Sequence, residues 1–173
     1  MRRFVVYAVS LFVLFLAQTT SFRVFLPLTD IRPNLLLVFA ASFALMRGEQ
    51  TGILLGFFSG LFIDIVFGDH LGFYAAFFMF LCFIVGEFRR ILTPDRFVPA
   101  FCLITGADLL YGMMNYVFQF LLRSRFHFRF YLAHVILPEA ALTLMAALLL
   151  YPLFFMIDEG LEAGERKKAK KFV

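Results

Sequence analysis

The chain has 173 residues, 62% of them hydrophobic and 16% charged, against roughly 25% charged in ordinary soluble domains, which excludes a soluble globular domain. Nine of the charged residues lie beyond residue 157, so the body is oilier than the average. Six membrane helices of about 20 residues each leave about 53 residues for every loop and tail, too few for a separate catalytic or nucleic-acid-binding domain. The net charge of +4 comes from Lys and Arg at the ends of apolar runs. There they set orientation and meet anionic lipid headgroups, without forming the basic water-facing surface that nucleic acid needs.

Residues 4–22 form an uncharged run of 19 after Arg2 and Arg3. Signal-peptide cores have about 7 to 15 residues, so this run reads as an uncleaved first span. Windows 33–46 and 50–63 follow, separated only by Arg47, Gly48 and Glu49, a tight turn between two helices. Each window gives about 21 Å of helix against about 30 Å of hydrocarbon, so neighbouring residues must complete the ends. Extending the third span to residue 67 carries Asp64 into its last turn. The two short windows alternatively form a re-entrant hairpin that never crosses.

A fourth span covers 71–86, a fifth 97–122 with Asp108 inside it, and a sixth 133–157 with Glu139. Residues 158–173 form a Lys/Glu-rich cytoplasmic tail that extends the last helix. The expected fold is all-α: one polytopic integral membrane bundle of six transmembrane helices, residues 1–173. An even number of spans puts both termini on one side. Placing them inside puts eleven basic residues in the cytoplasm and five outside, the side the positive-inside rule selects. Cys82 and Cys102 each lie in an apolar run, where a thiol behaves as a small hydrophobe.

Inside lipid, helices associate through close backbone approach and through polar groups that must be paired, so small and polar residues carry the information. Gly52, Gly56, Gly60 and Asp64 recur every four residues and define a contact stripe. It packs either another helix of the same chain or a partner. Thr105, Asp108, Gly112, Asn115 and Gln119 share one face of the fifth span. Asp108 lies about 16 Å along it, near the midplane, where a charge costs about 2.5 to 3.5 kcal/mol unless protonation or a hydrogen bond relieves it. Glu139, Thr143 and Ala147 form a stripe on the sixth span, and Asn115 or Gln119 is the expected partner of Glu139. Asp64, Asp108 and Glu139 are too scattered in depth to specify a proton relay; their readings are structural hydrogen bonding, partner or ligand contact, and proton coupling.

From Arg123 to Phe130 basic or polar residues alternate with aromatics. Extended, this segment has two faces, and Arg123, Arg125 and Arg129 meet outer-leaflet headgroups or dock a periplasmic partner by strand pairing. Asp69 and His70 fall short of the three or four ligands a metal site needs. No phosphate-binding loop, paired-histidine motif or nucleophile elbow occurs. The reading is no enzyme, no cofactor and no metal.

Arg32-Pro33-Asn34-Leu35-Leu36-Leu37, then Arg47-Gly48, Gly52, the run Gly56-Phe57-Phe58-Ser59-Gly60-Leu61-Phe62-Ile63-Asp64, Gly68 and Leu71-Gly72 together resemble the MreD family of bacterial rod-shape proteins. The motifs fall in about residues 32 to 86; Pro33, Gly56, Gly60 and Asp64 sit in the recurrent part. The resemblance implies a noncatalytic inner-membrane component of the machinery that builds lateral cell wall. It also implies binding to the bitopic protein MreC, action with the MreB filament, with RodA and with its transpeptidase partner, and a fold like the substrate-binding subunits of energy-coupling-factor (ECF) vitamin transporters. No catalytic residue transfers. Two other functions stay open: a vitamin-type substrate-capture subunit, in which the Asp108 stripe lines a pocket, and a proton-coupled carrier.

Overall fold

Where no water reaches the backbone, each N–H and C=O must find its partner within the segment, and uncharged runs rich in Leu and Phe fold as helices. The computed structural model describes residues 2–20, 32–68, 71–91, 97–118 and 128–169, and among them no strand occurs. Helix α1 is Arg2–Thr20, α2 Leu35–Arg47, α3 Glu49–Phe67, α4 Phe73–Glu87 and α5 Phe97–Tyr116. A 3₁₀ turn, Phe88–Arg90, ends α4. The short α6, Phe128–Tyr131, leads through a wide turn, Leu132–Ile136, into the long α7, Leu137–Ala169. Pro138 has no N–H to offer the carbonyl of His134. Ahead of it the ladder relaxes to five-residue spacing, with Leu137 N–H bonded to Leu132 O.

Among the described residues four stretches are long and apolar enough to cross a membrane: Arg3–Thr20, Glu49–Val66, Phe97–Tyr116 and Leu132–Ala163. Helix α2 is shorter, 13 residues or about 20 Å. Its position explains its composition. It touches α1, α3, α4, α5 and α7, and every residue from Leu35 to Met46 is buried. A helix apolar on all sides belongs in the middle of a bundle, and its ends meet protein instead of lipid.

Phe39 and Phe43 of α2 make ring contacts with α1 and α7. The Phe43 ring packs tilted against Tyr7 of α1 with centroids 4.6 Å apart, and Phe154 of α7 meets Phe39 at 5.4 Å and Phe43 at 5.6 Å. The exposed side chains are apolar too: Phe4, Val9, Phe12 and Leu16 on α1, Leu54 and Ile65 on α3, Leu149 and Met156 on α7. This is the surface of a protein solvated by acyl chains. Arg129 lies in the helical turn of α6 and is exposed, so this end of the alternating segment is helical, not extended; Arg123 and Arg125 lie outside the described residues.

Candidate functional site

Helices α3 and α4 run antiparallel, and the glycine stripe lies in their seam. A Cβ on Gly56 would sit 2.7 Å from Phe78 O, and one on Gly60 would sit 2.5 Å from Ala75 Cα. At Gly52 it would meet Ala44 Cβ of α2 at 2.6 Å and Cys82 O of α4 at 2.9 Å. Real Cβ atoms do not approach backbone so closely, so the three glycines are what bring these helices into contact. The stripe expected as a contact face packs this chain's own helices.

Asp64 closes the far end of the same seam, at the C-terminal end of α3. The chain turns through Gly72, at φ +96°, and α4 starts with its first N–H groups facing Asp64. Gly72 N and Ala75 N donate to Oδ2 at 3.0 and 2.9 Å, and Tyr74 N donates to Oδ1 at 2.9 Å. The carboxylate, 2% exposed, therefore takes three orphan donors at the positive end of a helix, where both hydrogen bonding and the macrodipole favour a negative charge.

A second polar site surrounds the submerged N-terminus of α2. Because α2 is short, its first N–H groups lie inside the bundle and need partners there. Asn34, which follows the buried Pro33, caps the helix by accepting from Leu37 N at 3.3 Å. Leu36 N donates to Gln18 Oε1 of α1 at 3.1 Å, and Asn34 N to Thr143 Oγ1 of α7 at 3.1 Å. Asp108 of α5, 3% exposed, interacts with Thr143 and Asn34. Even so, its Oδ1 and the Asn34 Nδ2 both stop short of a regular hydrogen bond. Glu139 lies in the first turn of α7, half-buried.

Asn115 accepts from Tyr74 OH at 3.0 Å, so this amide joins α5 to α4; among the described residues no hydrogen bond joins it to Glu139. Gln119 lies outside the described residues, as do Asp69 and His70. Gly112 faces Ile136, whose Cγ1 would lie 3.2 Å from an added Cβ.

A third site was not anticipated. Arg47, at the end of α2, bonds Asp158 of α7 through Nε at 2.7 Å, with side-chain exposures of 17% and 11%. Arg47 Nη2 also donates to the Asp158 carbonyl at 3.4 Å, and Tyr7 OH of α1 donates to Asp158 Oδ1 at 3.3 Å. The sequence reading places Asp158 at the start of the Lys/Glu-rich tail, whereas the structure buries it against α1 and α2. The readable signal was that it is the first acid after the last apolar run and lies on the same side as Arg47.

Apolar outer faces, a glycine seam and buried polar clasps between helices define a polytopic helical membrane protein. The profile of the rod shape-determining protein MreD matches residues 1–157. The chain belongs to the MreD family, and the match reaches well beyond the motif stretch from which the resemblance was drawn. No curated protein and no solved structure matches it. A rod-shape-determining membrane protein is what that membership implies.

Proposed function

We propose that this protein is a noncatalytic scaffold of the cell-wall elongation complex in the bacterial inner membrane. Six helices cross the bilayer, α2 and α4 completed at their ends by protein, with both termini cytoplasmic as the distribution of basic residues favours. The scaffold binds the bitopic protein MreC and acts with RodA, its partner transpeptidase and MreB in lateral peptidoglycan synthesis. The observation that carries this reading, beside family membership, is that the small and polar side chains within the bundle join helix to helix.

The likeness to ECF substrate-binding subunits belongs to the same proposal as a statement of fold. The test is depletion of the protein in a rod-shaped host, with the tagged chain purified from its membranes in parallel. Rounding of the cells and copurification of MreC and the wall synthases are expected. Normal rods, or a chain that purifies alone and gains thermal stability from a small metabolite, would replace the scaffold with substrate capture.

A further inference from the structure

The helices of the bundle differ in length where they face lipid. Helix α4 has 15 residues, about 22 Å, while α5 has 20, about 30 Å, the thickness of the hydrocarbon itself. A short helix is unremarkable where protein covers it, as it covers α2. Helix α4 is not covered: Met79, Phe80 and Phe83 are exposed. On α3 the exposed large apolar side chains run from Leu54 to Val66, about 18 Å, behind a polar first turn of Glu49, Gln50 and Thr51. On α7 they run from Leu137 to Met156, about 28 Å. Helix α3 pairs with α4, and α5 with α7, around the central α2. The apolar band is therefore narrow on one side of the molecule and full on the other.

We propose that the α3–α4 face is a lipid-contact surface fitted to a hydrocarbon layer of about 22 to 25 Å, so that the protein thins the bilayer on this side and favours lipids with short acyl chains. The other ways of relieving such a mismatch are closed. Tilting a helix shortens its reach along the membrane normal and makes the shortfall larger. Sliding α4 along α3 is blocked at both ends of the seam. At one end an added Cβ on Gly86 would sit 2.6 Å from Glu49 Cα; at the other Asp64 holds the N–H groups of Gly72, Tyr74 and Ala75. Snorkelling needs charged side chains that reach outward. Arg90 instead lies 3.5 Å from Glu49 and 3.6 Å from Glu87, which keeps its charge at the level of those carboxylates. Phe88 and Ile91, exposed beside these charges, lie at the headgroup boundary. The lipid is softer than the clasped seam and takes up the difference. This inference stands apart from the scaffold reading, since it concerns the chain alone in a bilayer and requires no partner.

The chain has no tryptophan, so one introduced on each face reports its own lipid neighbours. The full chain carrying Phe80→Trp on α4, or Leu149→Trp on α7, is reconstituted in vesicles of mixed dimyristoleoyl and dioleoyl phosphatidylcholine, with one or the other lipid brominated on its chains. Quenching then gives the relative occupancy of the two lipids at each tryptophan. The α4 position is expected to favour the short-chain lipid by about twofold or more relative to the α7 position. Equal preferences at the two positions would overturn the proposal. So would an α4 tryptophan that neither brominated lipid quenches while the α7 one is quenched normally, which would mean that a second copy of the chain covers this face. Phe83→Trp is read in the same way should Phe80→Trp not fold.

Discussion

Asp64 concentrates more hydrogen bonding than any other side chain described. Three N–H groups at the start of α4 converge on its two oxygens, and in a membrane no water replaces a lost acceptor. An unsatisfied buried donor costs about 1 to 3 kcal/mol. Asp64→Ala is therefore expected to lower unfolding free energy in detergent by roughly 3 kcal/mol or more, with α4 fraying first. Asp64→Asn keeps one acceptor oxygen and loses the charge at the helix end, so about half that loss is expected. Equal stability for the alanine variant and wild type in denaturant titration would show that the cap contributes nothing.

The α3–α4 seam depends on shape, and the glycines separate into two kinds. An added methyl at Gly60 would press on Ala75 Cα and at Gly56 on Phe78 O. These are backbone atoms that cannot swing aside, so a single methyl must part the helices. At Gly106, also within a helix, an added Cβ meets nothing within 4 Å. Gly60→Ala is expected to cost about 2 kcal/mol or more, on the scale of overpacking a tight core, whereas Gly106→Ala gains helix propensity of about 0.5 to 1 kcal/mol. Thermal unfolding of both variants in the same detergent checks the contrast; like behaviour would remove the seam's special role. The four-residue spacing of Gly52, Gly56 and Gly60 made this stripe legible, as the long apolar runs made the helices legible. Its occupant was not legible, because spacing identifies a face and says nothing of what lies against it. The Tyr74 bond to Asn115 was hidden for the same reason: depth along one helix does not fix the rotation of the next. The central position of α2 was only half visible, in a window too short for a span and without a polar face.

At the scale of the whole molecule, α2 is held at both ends by other helices. Its start is clasped by Gln18, Thr143 and the Asp108 cluster, and its end by the clamp of Arg47, Asp158 and Tyr7. The clamp joins α1, α2 and α7, whose sequence positions lie far apart, so it sets the assembly of the bundle more than the formation of any helix. Isolated surface ion pairs contribute about 0 to 1 kcal/mol, while breaking a fully buried pair costs about 3 to 5 kcal/mol. With its groups mostly covered, this pair belongs between those limits. Arg47→Met alone is expected to cost roughly 2 kcal/mol, because Asp158 then stays covered with only the Tyr7 hydroxyl for a partner. Asp158→Leu alone leaves the guanidinium with the residue 158 carbonyl and with Glu162 at 4.0 Å, so a smaller loss is expected. The double variant removes both charges and should recover most of the loss, since two apolar groups satisfy one another where an unpaired ion does not. A double-mutant cycle on unfolding in detergent measures the coupling, and strictly additive losses would mean that the three helices are held together by their aromatic packing alone.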